Sequence, residues 1–236
     1  MEQLSKGLLT RWAANMAALQ GEEDEEARIA DERKSSEILM GKIRRANIPL
    51  RYQACTFENI ERKGVPADVA QSYAMAKAYA GNLNEELKKG YGLLMAGTVG
   101  RMKTTLAAAI GIEAIRQRKT VFFVNMAELL DQMMELSRRK SWEEMSRYNQ
   151  KITDRDLVII DDLGAEYSSG WVLNKVDALI TRRYNDMKAT IITTNMTPEE
   201  MQGRYSGRVF DRLKNTSHVI IETGPSLRPR ALELHI

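Results

Sequence analysis

Cysteine occurs once in this 236-residue chain, at Cys55, and histidine twice, at His218 and His235. A single thiol rules out an intramolecular disulfide framework and any multi-cysteine zinc site, and two imidazoles leave little for transition-metal chemistry. Cys55 has no histidine near it in sequence, so it reads as a packing residue rather than a reactive thiol. Long apolar runs are missing too, since nothing approaches the ~18–20 residues of a membrane span. The opening stretch, MEQLSKGLLTRWAANMAALQ, lacks a continuous apolar segment and a cleavage site, so no secretory signal is expected and the chain is placed in the cytoplasm. Charge of one sign is scarce: a net +3 permits a nucleic-acid partner without establishing one.

What is present suits one α/β domain with a small appendage. Leu4, Leu8, Trp12, Met16 and Leu19 fall at helical spacing, and GEEDEEARIADERK continues as a solvated, charged helix. Residues 1–46 are therefore expected to form a helical N-terminal region. Pro49 breaks the pattern, and 47–66, containing IPLRYQACTFENI, reads as an extended linker to a main domain over 67–236. A helical stretch from Ala67 to Leu87 precedes the apolar run YGLLMAG. Four more such runs follow, over 120–125, 156–162, 189–195 and 218–222, separated by helical segments. Short apolar runs alternating with helices imply a parallel sheet with helices on both faces.

Directly after YGLLMAG, Gly97-Thr98-Val99-Gly100-Arg101-Met102-Lys103-Thr104 matches the phosphate-binding pattern G-x-x-x-x-G-K-[ST], with Thr105 leading into a helix. Glycines let backbone N–H groups turn toward a triphosphate, the helix N-terminus faces the same anion, Lys103 reaches the β/γ-phosphates and the Thr104 hydroxyl can ligate Mg2+. One position departs: Met102 stands where a glycine usually precedes the lysine, and its Cβ crowds a backbone that often needs unusual torsions. The run Leu157–Ile160 delivers Asp161 and Asp162 to the carboxyl edge of the sheet, Asp161 to hold the metal and Asp162 to orient or deprotonate the attacking water. Asn195 ends the next run, where an amide can position that water. Arg208 and Arg212 share a helical face, as surface charges or as groups reaching a neighbouring subunit's γ-phosphate.

Together GTVGRMKTT, VIIDDLGAE, TIITTN and GRVFDRL resemble AAA+ ATPases, and DDLGAE followed by a Trp-containing helix, RRY and TTN-x-TPEE-M is similar to the DnaC/IstB branch in particular. The resemblance covers about residues 45–230. It implies Walker-A roles for Gly97, Gly100, Lys103 and Thr104, Walker-B roles for Asp161 and Asp162, and a sensor role for Asn195. It further implies an arginine finger at Arg212 with Arg208 close behind, and a sensor-II position at Arg228 in GPSLRPR, with the C-terminal lid small or absent. ATP and Mg2+ are the implied cofactors.

In that branch the ATPase domain assembles as an oligomer around single-stranded DNA and the N-terminal region grips a replicative helicase. A helicase loader is accordingly expected, with an IstB-type transposition helper sharing nearly every motif. A nucleotide-insensitive adaptor disabled at Met102 is the alternative outside the ATPases, and a small-molecule kinase the other enzyme class. For DNA, Arg138-Arg139-Lys140 with Trp142 combines cations and a stacking ring, against a solvated helix face and a core Trp. Arg182-Arg183-Tyr184 is a second candidate, while Trp171 reads as packing.

Overall fold

The computed structural model describes residues 28–228. Contacts divide the chain into two compact units, 1–42 and 43–236. Helix α1 occupies residues 28–45, and its part in the first unit is mostly exposed, as its charge-rich sequence dictates. The apolar stripe of residues 1–20 lies outside the described residues.

In the second unit Ile43, Ala46 and Ile48 are core residues, at most 4% exposed. The extended linker expected after Pro49 is instead folded onto this unit. Asn47, at φ 60°, turns the chain and donates from Nδ2 to Phe123 O at 3.0 Å. A 3-10 turn spans Leu50–Tyr52, and helix α2 spans Phe57–Lys63. Thr56 caps α2 by accepting from Asn59 N at 3.2 Å, and Phe57 and Ile60 are buried. Two anchoring apolar residues in a single short helix are too few to show as periodicity, which is why the segment looked like linker. Helices α3 (Ala70–Gly81) and α4 (Leu83–Lys89) follow, broken at Asn82.

Five strands form one sheet: β1 (Gly92–Gly97), β2 (Val121–Asn125), β3 (Leu157–Leu163), β4 (Ala189–Thr194) and β5 (Ser217–Glu222). Every pairing is parallel, in the order β2-β3-β4-β1-β5. Parallel neighbours need long crossovers, supplied by α5 (Lys103–Arg116), α6 (Met126–Arg138), α7 (Trp142–Thr153), α8 (Gly170–Asn185), α9 (Pro198–Arg204) and α10 (Gly207–Thr216). Strands β1 to β4 are apolar runs because both their faces are covered, whereas the edge strand β5 leaves Val219 and Ile221 exposed; Ile159, Ile160, Ile191 and Ile192 are fully buried, each burial contributing roughly 1.5–3 kcal/mol. Helix α5 is buried nearly all round, with Ala107, Ala108 and Ala109 at most 1% exposed, and it lies close on the sheet at Gly111, where a Cβ would meet Ile159 Cδ1 at 2.7 Å.

After β1 the chain leaves for the far edge and returns through β3 and β4. That reversal opens a crevice at the carboxyl ends of β1, β3 and β4, where parallel α/β sheets bind ligands.

Candidate nucleotide site

The loop from Gly97 to Met102 joins β1 to α5 in this crevice. Its glycines answer to their protein neighbours as well as to the turn. Gly97, at φ 122°, lies so close to β5 that a Cβ would sit 1.8 Å from Glu222 O, and Thr98 N donates to that carbonyl at 2.9 Å. A Cβ on Gly100, at φ 81°, would meet Ser226 Oγ at 2.0 Å. Met102 takes the left-handed torsion a glycine would, φ 62°, and offers no side-chain acceptor to the head of α5. The first N–H groups of α5 therefore keep their positive end for an anion.

Lys103 is 7% exposed, and its Nζ donates to Gly97 O and Thr98 O, both at 2.7 Å, and to Asn195 Oδ1 at 2.9 Å. Burial pulls the Lys103 ammonium below its usual range, against the opposing pull of Asp162, Glu222 and Asp161. Asn195 turns its amide nitrogen to Asp162 Oδ1 at 2.8 Å, so one side chain joins the lysine to the acid.

A second network holds the other carboxylate: Asp161 Oδ1 accepts from Thr104 Oγ1 at 2.8 Å and from Thr193 Oγ1 at 2.6 Å. Burial raises the Asp161 carboxyl, and these two hydrogen bonds oppose the rise. Between Ile160 and Leu163 the β3–β4 register shifts, and Asp162 takes φ 58° with its N–H on Thr193 Oγ1 at 3.0 Å. The bulge re-aims Asp162 toward Asn195 instead of continuing the strand's alternation.

Both networks line a cavity of about 430 Å³, bounded also by Val99, Thr105, Arg51, Tyr52, Pro66, Leu227 and Arg228. The hydroxyl of Thr104 and the carboxylate of Asp161 are hard oxygen donors that suit magnesium, which takes one or two protein oxygens and completes its shell with phosphate and water. Sequence reading missed Thr193, whose partner lies 32 residues away, and the Arg51–Tyr52 wall, which the linker reading concealed.

Arg101 makes no such contribution through its side chain. At 2% exposure, it binds Glu222 Oε2 at 3.3 Å, Pro225 O at 3.2 Å and Asp68 O at 2.8 Å, leaving only its backbone for a phosphate. Arg228 is exposed at the cavity mouth, with its backbone N–H on Ser226 Oγ at 3.2 Å.

Glu166 of DDLGAE also escaped notice. It is buried and ties the loop after β3 to α9, accepting from Gly164 N at 2.7 Å and from Tyr205 and Arg204.

The two arginines of α10 differ in freedom. The Arg212 side chain is 19% exposed, donates to Thr181 Oγ1 and lies over the Tyr184 ring. Arg208 is 67% exposed and meets Asp177 Oδ2 at 2.9 Å.

Two readings of the basic segments need correction. Trp142 is 70% exposed at the start of α7, not a core residue, because the apolar faces of α6 and α7 are supplied by leucines, methionines and Ile152 instead. Arg183, offered as a DNA contact, is 1% exposed and donates to Thr190 Oγ1 at 2.9 Å and to Ile152 O and Ala189 O at 2.5 Å each. Burial lowers its pKa to about 10, against the pull of Asp156 and Asp186. A backbone-satisfying guanidinium of this kind is structural. Trp171 packs partly buried on the core, as expected.

Sheet order, phosphate loop, paired acids and polar strand end define an AAA+ P-loop nucleotide-binding protein. The chain belongs to the IstB-like ATP binding protein family, whose model matches residues 24–233. Among its relatives is the replicative helicase loader DnaC of Escherichia coli strain K12, 26% identical over 172 residues that cover 72% of this chain and 67% of that protein. An ATP-binding protein in an insertion sequence of Mycobacterium tuberculosis is 27% identical over 203 residues, 84% of this chain and 76% of that one. In fold, the crystal structure of the DnaC helicase loader superposes with TM-score 0.64 at 21% identity, covering 74% of this chain and 99% of that chain. The replication initiator DnaA bound to AMPPCP and single-stranded DNA gives 0.61 at 19% identity, covering 74% of this chain and 50% of that chain.

Proposed function

We propose that this chain is a helicase loader: an ATP-hydrolysing switch that binds single-stranded DNA, assembles as an oligomer and delivers a replicative DNA helicase. The observation that carries the ATPase part is Asn195, held between Lys103 at 2.9 Å and Asp162 at 2.8 Å. A site that has lost its chemistry has no reason to keep a lysine, an amide and an acid in one hydrogen-bonded line. This weighs against the adaptor reading, as does Met102, whose backbone has accepted the left-handed torsion of the glycine it replaces.

In this proposal Lys103 exchanges its carbonyl partners for phosphate oxygens when ATP enters. Thr104 and Asp161 would hold Mg2+, which would neutralise charge on the phosphates. Asp162 takes the proton of the attacking water, and Asn195 fixes that water and the acid together. The arginines of α10 stabilise the transition-state charge in the neighbouring subunit, with Arg212 as the finger and Arg208, the more exposed of the two, close behind it. Arg138, Arg139 and Lys140 supply phosphate contacts beside the exposed Trp142 ring, on which bases stack. Residues 1–46 carry the helicase grip.

The relatives named as helicase loaders support this partner. The insertion-sequence relative supports a second reading, a transposition helper acting on duplex DNA. One experiment addresses both: ATP binding and turnover with single-stranded or duplex DNA, beside Lys103→Ala. Binding and single-strand-modulated turnover, lost in the variant, are expected. Stimulation by duplex alone points to the transposition helper, and absence of ATP binding by the unaltered protein overturns the switch.

A further inference from the structure

We infer that Asp177 on α8 is the positioning residue of the trans-acting arginines; the inference rests on the arginine-finger reading above. Four groups converge on its carboxylate. Thr181 Oγ1 donates to Oδ1 at 2.8 Å, and Arg212 Nη1 stands 3.6 Å from the same oxygen. Arg208 Nη2 donates to Oδ2 at 2.9 Å, and Ser206 Oγ to the same oxygen at 3.3 Å. Ser206 is also the N-cap of α10, accepting from Val209 N at 3.3 Å. One carboxylate thus fixes where the arginine-bearing helix starts and where both guanidiniums point.

The physical need is plain. Two cations one helical turn apart on one face repel, and both side chains have many rotamers to lose. A carboxylate shared between them neutralises the repulsion and narrows the rotamers. The Asp177 side chain is 20% exposed, so its field is less screened than that of a fully solvated acid, whereas Arg208 at 67% exposure keeps most of its guanidinium toward solvent. None of the phosphate-loop or acid-pair residues touches Asp177. It lies outside the lining of the candidate nucleotide cavity and acts through the arginines.

Mixed oligomers test this. Acceptor subunits carry Arg208→Ala and Arg212→Ala with an intact ATP site; donor subunits carry Asp162→Asn and intact arginines. Neither should turn over ATP alone, and the mixture should. Adding Asp177→Asn to the donor is expected to lower kcat of the mixture about 10- to 100-fold, the cost of misplacing a catalytic group by about an ångström, with KM for ATP unchanged. Adding it to the acceptor should change nothing. A donor carrying Asp177→Glu, which keeps the charge, should recover part of the rate.

Equal loss in donor and acceptor would mean a general structural role and overturn the inference, as would full activity of the Asp177→Asn donor. If intact donors never rescue acceptors, the arginine-finger reading itself fails, a result separable from either of these.

Discussion

Met102 pays for its place at the head of α5: a side chain in the left-handed region at φ 62° costs roughly 1–2 kcal/mol that glycine would not incur. Met102→Gly should therefore raise the melting temperature by several degrees while preserving ATP binding. Asp161 gives a second prediction. Burial, the largest influence, raises its carboxyl, so keeping it ionised destabilises the folded state above that raised pKa, and the penalty disappears once pH falls below the ordinary carboxyl range near ~3.9. Asp161→Asn should melt higher than the unaltered protein at pH 7, with the advantage shrinking as pH approaches 4, while hydrolysis is lost. A variant that melts lower at neutral pH would contradict the burial argument. Lys103, Asp161 and Asn195 were legible because phosphate loops and acid-ended strands have a fixed spacing. Thr193, Glu166 and Asp177 were not, since bonds between residues 29–39 positions apart leave no local pattern.

Among the elements, strands were easier to read than what surrounds them. Strands β1 to β4 are buried on both faces and therefore apolar, and the edge strand β5 is an apolar run although Val219 and Ile221 are exposed, so all five stood out. The stretch after Pro49 did not, because its structure depends on single residues, a Thr56 cap and two buried side chains. Nor could RRY reveal that Arg183 points inward, since a guanidinium satisfying carbonyls has the same letter as one facing solvent. The two basic elements should separate cleanly under mutation. Arg183→Met should cost about 3–5 kcal/mol in denaturant unfolding, because it strips the carbonyls of Ile152 and Ala189 of their partner, yet leave DNA affinity unchanged once folded. Trp142→Ala at the head of α7 should leave stability within error and weaken single-stranded DNA about tenfold, the worth of roughly one stacked base. Loss of stability in the second variant, or of DNA affinity in the first, would reverse these assignments.

At the scale of the molecule, the second unit contains every strand of the described residues and the whole candidate nucleotide site, so under the proposed function a chain lacking residues 1–42 should still fold and bind ATP with unchanged affinity. Under the loader reading it should also lose the helicase in a pull-down; retention of the helicase would move the grip into the ATPase unit. The sheet carries one more implication, for descent rather than for chemistry. Gly97 is held by the carbonyl of Glu222, so its smallness is a demand of strand β5 lying beside β1, whereas the Lys103 side chain bonds only to the phosphate loop and Asn195 and, under the proposed function, serves the phosphate. Selection on the two positions is therefore separable. A lineage of this fold that abandons nucleotide should let the lysine drift first and keep the glycine long after, so a surviving glycine in a relative testifies to the architecture and only the lysine to the trade.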